Sequence, residues 1–152
     1  MKIVINGCFD LLHKAHICLI HRALKYSDSG KVLILINSND SVKRLKGEQH
    51  PIDDITIRGE NIQIAYGKWC QKKLEYPKLT IQVFDTEKEL EEAIDRFEPD
   101  IIMKGIDRPD VREIVGYNKW PILMVPPPVN KDGSTISSTA IARERGLIWD
   151  KK

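Results

Sequence analysis

The residues of this chain best equipped for chemistry are His13 and His16. They stand three apart at the head of a helical pattern carried by Ile17, Ile20, Ala23 and Leu24, so both imidazoles lean to one face. Ahead of them, Ile3-Val4-Ile5 reads as a short buried strand broken by Asn6-Gly7. The first turn of a helix offers free backbone N–H groups and a partial positive charge. A strand, a glycine turn and two cation-capable side chains at a helix N-terminus together make a phosphate-binding arrangement.

Three further polar segments carry groups of the same kind: Ser41-Val42-Lys43-Arg44-Leu45-Lys46-Gly47, Lys104-Gly105-Ile106-Asp107 and Gly133-Ser134-Thr135-Ile136-Ser137-Ser138-Thr139. Glycine backbone and hydroxyls accept close approach of a polyphosphate. Cations neutralise the charge that builds up in phosphoryl or nucleotidyl transfer. No paired carboxylates, Ser-His-Asp ordering or Cys/His ligand cluster competes for this role, and neither the P-loop pattern nor GxGxxG occurs.

These segments need a scaffold that brings them together. Lys31 to Ile36 reads as a second buried strand, ending in the cap-like cluster Asn37-Ser38-Asn39-Asp40. Arg44 to Asp54 reads as a polar surface loop, and Thr56 to Lys72 as a helix with Ile57, Ile64, Ala65 and Trp69 on one face. Leu79 to Phe84 alternates as a third strand. Thr86 to Phe97 is the cleanest helix, with a Thr86–Glu89 capping box and a buried stripe of Leu90, Ala93, Ile94 and Phe97. Ile101-Ile102-Met103 and Ile122 to Val125 complete the strands. A short helix over Asp110 to Val115 lies between them, and a last helix, Ser138 to Arg145, stops at Gly146. Strands alternating with helices imply one α/β domain over residues 1–152: a doubly wound, Rossmann-like sheet of about five parallel strands with helices on both faces. Ligands then gather beyond the carboxyl ends of the strands, where the four polar segments lie.

Composition bounds the partners. Hydrophobic residues make up 41% and charged residues 30%, as in an ordinary globular protein, and a formal charge of +2 supports neither a nucleic-acid nor a membrane-surface partner. With no apolar run near transmembrane length and a first apolar run of only three residues, neither a membrane span nor a signal peptide is expected. Cys8, Cys18 and Cys70, odd in number and without metal-like pairing, read as reduced thiols in a cytoplasmic protein.

Gly7-Cys8-Phe9-Asp10-Leu11-Leu12-His13-Lys14-Ala15-His16 resembles the GxFDxxHxGH motif of the cytidylyltransferase-like nucleotidyltransferases. Ile136-Ser137-Ser138-Thr139 is similar to their second motif, ISTT or ISST at the start of the final helix. Between the two, SVKRLKG resembles a loop of bacterial heptose-phosphate adenylyltransferases, and Lys104 to Asp107 resembles their KGxD turn. The resemblance runs from end to end, in order.

It implies an enzyme that joins an NTP to a phosphorylated sugar or polyol by in-line attack at the α-phosphorus, releasing pyrophosphate. By position, His13, His16 and Lys46 would be catalytic. Gly7, Cys8, Phe9, Asp10, Gly105, Asp107, Ser137, Ser138 and Thr139 would bind the nucleotide, and Arg58 would face the acceptor. Magnesium would arrive on the nucleotide phosphates without a protein cage, and a homodimer is a family expectation. Three departures stand out: Ala15 for the second glycine of HxGH, the absence of RTxGISTT, and Ala142 where ISSTxIR enzymes carry arginine, with Arg143 one place late. The second disfavours CTP relative to ATP, and the third favours the sugar-phosphate or glycerol-phosphate branch. The alternatives are a glycerol-3-phosphate cytidylyltransferase and an inactive nucleotide-binding module with Ala15 as its lesion. His21, His50 and the tryptophans read as packing or surface residues.

Overall fold

A computed structural model describes residues 1–105, 110–134 and 136–148. Strands and helices alternate as β1 (Lys2–Gly7), α1 (Lys14–Ser27), β2 (Lys31–Asn37), α2 (Asn39–Lys46), α3 (Ile55–Cys70), β3 (Lys78–Phe84), α4 (Glu87–Phe97), β4 (Ile101–Gly105), β5 (Ile122–Val125) and α5 (Ser138–Glu144). One 3-10 turn, Val111–Glu113, lies between β4 and β5 where the sequence suggests a longer helix. The sheet is parallel, in the order β3-β2-β1-β4-β5.

The period of two along each strand divides the core into two layers. Ile3 and Ile5 of β1 and Val32, Ile34 and Ile36 of β2 face α1 and α3, meeting Ile20, Ala23, Leu24 and Ile62. Val4, Leu33, Leu35 and Ile102 face the opposite layer and meet Leu90, Ala93 and Ile94 of α4. Helices therefore cover both faces, as the doubly wound reading requires. Each fully buried Ile or Leu contributes about 1.5–3 kcal/mol of transfer free energy, so these layers hold the strand ends in fixed register.

The switch point falls between β1 and β4. The β1–β2 ladder runs the whole strand, from Lys2 opposite Lys31 to Gly7 opposite Ile36. The β1–β4 ladder is registered only at Ile3 opposite Ile101 and Val4 opposite Ile102, so the two strands part toward their carboxyl ends. Lys104 bridges the opening, donating to the Asn6 carbonyl at 3.0 Å and to the Asn6 side-chain oxygen.

Three local expectations change. The chain is helical from Asn39 through Lys46, not looped from Arg44. Ser38 caps α2 by accepting the Ser41 N–H at 3.0 Å, and Lys43, Arg44 and Lys46 lie in its last turn, where the helix dipole favours cations. On α3 the buried residues are Arg58, Ile62 and Ala65, whereas Ile57 and Ile64 are 43% and 55% exposed. An arginine on the inner face, discussed below, rotates the helix away from its apolar stripe. At α4, Thr86 caps as expected, but the Glu89 carboxylate reaches back to the Asp85 N–H at 2.8 Å and not to Thr86.

Candidate active site

Beyond Gly7 the chain turns sharply, with Phe9 at φ +51° and Leu11 at φ +48°. These are left-handed values that non-glycine residues adopt at a cost of order 1 kcal/mol, and the surroundings hold them in place. The Phe9 ring is buried in the core beneath His16, ring centroids 5.4 Å apart. The Asp10 carboxylate, 1% exposed, accepts the N–H groups of Ile52 at 2.8 Å and Asp53 at 2.9 Å. The Phe9 and Asp10 side chains thus support the turn from inside. Gly7 belongs with them, since a Cβ there would come within 3.3 Å of the Phe9 ring.

The turn delivers His13 as the N-cap of α1. Its Nδ1 accepts the Ala15 N–H at 3.2 Å, and His16 Nδ1 accepts the His13 N–H at 3.3 Å, a capping box built from two imidazoles. A neutral imidazole that accepts at Nδ1 carries its proton on Nε2. Burial, then His13 and then Lys46, push the His16 pKa down to about 3; burial and Lys46 lower that of His13. The pair is therefore neutral at pH 7 and presents two Nε2–H donors. The sequence suggests two cations here, but the charge comes from Lys46.

Lys46, the exposed last residue of α2, acts electrostatically on His13, His16, His50 and Cys8 alike, so it stands among them. It also lines a cleft of about 420 Å³ shared with His50, Thr139 and Arg143. The cleft joins the end of α2 to α5. Ser137 caps α5 by accepting the Ala140 N–H at 3.0 Å, and the buried Ser138 hydroxyl donates to the Asp10 carbonyl. The two ends of the chain are pinned together through that bond. It spends the Ser138 hydroxyl on the protein and leaves Thr139 facing the cleft.

Burial pushes the Cys8 thiol pKa up, and Sγ points to Asn37 Oδ1 at 3.6 Å, so Cys8 is a protonated neighbour of the site and not a nucleophile. Gly105 ends β4 with open space where a Cβ would stand, at the mouth of the β1–β4 opening. Asp107 lies outside the described residues.

Arg58 departs furthest from expectation. It is fully buried. Its guanidinium donates to the carbonyls of Asp53 at 3.0 Å, Cys8 at 2.8 Å and Asn37 at 2.8 Å, and to Asn39 Oδ1 at 2.9 Å. It ties the ends of β1 and β2 to the starts of α2 and α3, with its hydrogen bonds made inside the protein. Arg143, noted in the sequence only as an arginine one place late, follows Thr139 by four and shares its helix face and the cleft. His50 had no signal beyond its place after the lysine segment.

Among the described residues no group of three His, Cys, Asp or Glu side chains could hold a metal ion, and no helix is long and apolar enough to cross a membrane.

Comparisons agree with this architecture. Among curated relatives, bifunctional protein HldE of Pasteurella multocida is 50% identical over 58 residues, which is 38% of this chain and 12% of that protein. HldE of Actinobacillus pleuropneumoniae is 47% identical over the same length and the same shares. The chain thus matches only a small part of these longer relatives. Among solved structures, a lipopolysaccharide core biosynthesis protein from Thermoplasma volcanium shares the fold at a TM-score of 0.56 and 21% identity, over 86% of this chain and 98% of that one. A pantoate-beta-alanine ligase from Francisella tularensis does so at 0.61 and 14%, over 97% of this chain and 66% of that one. The family model described as cytidylyltransferase-like matches residues 4–144, and the chain belongs to that family of nucleotidyltransferases.

Proposed function

We propose that the chain transfers a nucleotidyl group from an NTP, ATP in preference to CTP, to the phosphate of a phosphorylated sugar or polyol. The observation that carries this reading is the convergence of two neutral Nε2–H imidazoles and Lys46 beyond the carboxyl end of β1. An acceptor phosphate oxygen attacks the α-phosphorus, the bond to the bridging oxygen of the β-phosphate breaks, and pyrophosphate leaves with that electron pair. No covalent enzyme intermediate is needed. His13 and His16 donate hydrogen bonds to the oxyanions as charge grows on them, and Lys46 supplies the positive field. Ser137 and Thr139 bring hydroxyls to the triphosphate, and Gly105 leaves room for the nucleoside.

The donors at the site are imidazole N–H, ammonium and hydroxyl groups, which suit phosphate oxygens and not a cation. Magnesium in this reading comes bound to the nucleotide. The resemblance of the SVKRLKG segment to a loop of heptose-phosphate adenylyltransferases favours a sugar phosphate as acceptor. A homodimer and a cytoplasmic location belong to the same reading. A pyrophosphate-release screen of four NTPs against phosphorylated sugars, polyols and amino alcohols tests it. Release with ATP and a sugar or polyol phosphate is the expected result, and release only with CTP and glycerol 3-phosphate replaces it with the cytidylyltransferase alternative.

A further inference from the structure

Asn6 is a buried polar residue that the transfer mechanism leaves unused. It is only 9% exposed and stands on β1, one residue before Gly7. Strand alternation puts its side chain on the face of Val4, opposite the face that Ile3 and Ile5 turn to α1. Its neighbours on that face, Val4, Leu35 and Ile102, are apolar, so nothing in the packing calls for an amide there.

The register of β1 on β4 sets Ile3 opposite Ile101 and Val4 opposite Ile102, and continued upward it would set Asn6 opposite Lys104. The strands have already parted at that level. The Lys104 ammonium spans the gap, donating to the Asn6 carbonyl at 3.0 Å and also to Asn6 Oδ1. An ammonium has three N–H groups and no acceptor, so only the oxygen end of the carboxamide can face it. The Nδ2 group is thereby turned away from Lys104, and the amide cannot flip without setting its own hydrogens against a cation. No acceptor for Nδ2 occurs among the described residues, where the one sealed and unpartnered side-chain nitrogen or oxygen belongs to His50, so Nδ2 reaches solvent. Beside the pair, Gly105 leaves open space where a Cβ would stand. A structural role explains the carbonyl and Oδ1 contacts. It does not explain a buried side chain with two N–H groups left at the β1–β4 opening, polarised by a cation on Oδ1.

We propose that Asn6 donates from Nδ2 to an acceptor atom of the nucleoside, with Lys104 as the positioning residue that fixes the carboxamide for it. The nucleotidyl-transfer reading enters only in naming the ligand. A neutral amide suits a neutral acceptor, which here is a base ring nitrogen or carbonyl, or a ribose hydroxyl. The charged phosphates have the His13–His16–Lys46 group.

Side-chain ¹H–¹⁵N spectra of the wild-type chain test this, with ATP, CTP and tripolyphosphate titrated separately. The Asn6 amide pair, assigned through bonds from its own Cβ, should shift with a nucleotide and not with tripolyphosphate. A shift that survives with the 2′,3′-dideoxy nucleotide assigns the base as acceptor, and one that is lost assigns the ribose. Asn6→Asp keeps the shape and the oxygen facing Lys104 while removing the N–H donors. In calorimetry it should weaken the nucleotide by about tenfold or more and bind tripolyphosphate as wild type does. Lys104→Met should lose nucleotide affinity in the same way, and Lys104→Arg, which also only donates, should recover it. The proposal is overturned if a nucleotide binds without moving the Asn6 signals, if Asn6→Asp binds it as wild type does, or if that variant weakens tripolyphosphate equally. If no nucleotide binds, the proposal and the transfer reading fall together. An Asn6 response without pyrophosphate release would count against the transfer reading alone. Should the variants fail to fold, the wild-type titration still decides.

Discussion

His13 and His16 stack with ring centroids 3.8 Å apart and planes inclined by 17°, and each Nδ1 is occupied by a main-chain N–H. One proton on either ring would face a second ring at stacking distance and the ammonium of Lys46. The arrangement therefore holds both imidazoles neutral, with the proton of each on Nε2. Capping α1 and preparing the site are the same set of bonds.

Acid stability should reveal this. The folded-state pKa of His16, about 3, lies below the ordinary value of 6.5. Below pH 6.5 the unfolded chain takes up a proton that the folded chain refuses, so stability falls as pH drops from 6.5 toward 3 and is fully present above 6.5. His16→Asn removes that titration. Urea unfolding at pH 7.5, 5.5 and 4.5 should show wild type losing stability relative to this variant, by on the order of a few kcal/mol at the lowest pH. A difference that does not change with pH would contradict the assignment.

Arg58 predicts a separation of stability from acceptor binding. Arg58→Met strands the carbonyls of Cys8, Asn37 and Asp53 in the interior. The expected loss is about 3 kcal/mol or more in denaturant unfolding. A substrate-facing arginine would instead raise the acceptor KM and leave stability unchanged, and that outcome would restore the role its sequence position suggests.

The contrast between Arg58 and His13 shows what the sequence makes legible. Strand and helix order followed from periodicity, because apolar side chains at spacing two or near 3.6 have only one way to reach a core. The phosphate-binding segments followed from residue type and from resemblance. What did not follow was direction. Phe9, Asp10 and Arg58 belong to the right segments, yet they point into the protein and hold its turns. Their partners are mostly backbone groups distant in the chain, which no spacing rule encodes. The start of α2 was visible in its cap. Its extent was not, because the charged last turn of a helix reads as a polar loop.

Ala15 carries a specific expectation. Its N–H donates to His13 Nδ1 in the first turn of α1, in a helical conformation that alanine adopts without strain. Ala15→Gly should lower stability by up to about 1 kcal/mol, the helix-propensity difference, and should not reduce nucleotide affinity in calorimetry. A clear loss of affinity would show that the methyl group contacts the ligand.

The central claim is that the His13–His16–Lys46 group stabilises charge at a transferring nucleotidyl centre, and His16→Ala tests it most directly. With ATP and the acceptor identified by the screen, the variant should keep the fold by circular dichroism. Pyrophosphate release should fall by about two to three orders of magnitude, as for the loss of a donor to a transition-state oxyanion. A folded His16→Ala chain that releases pyrophosphate at the wild-type rate would contradict the mechanism.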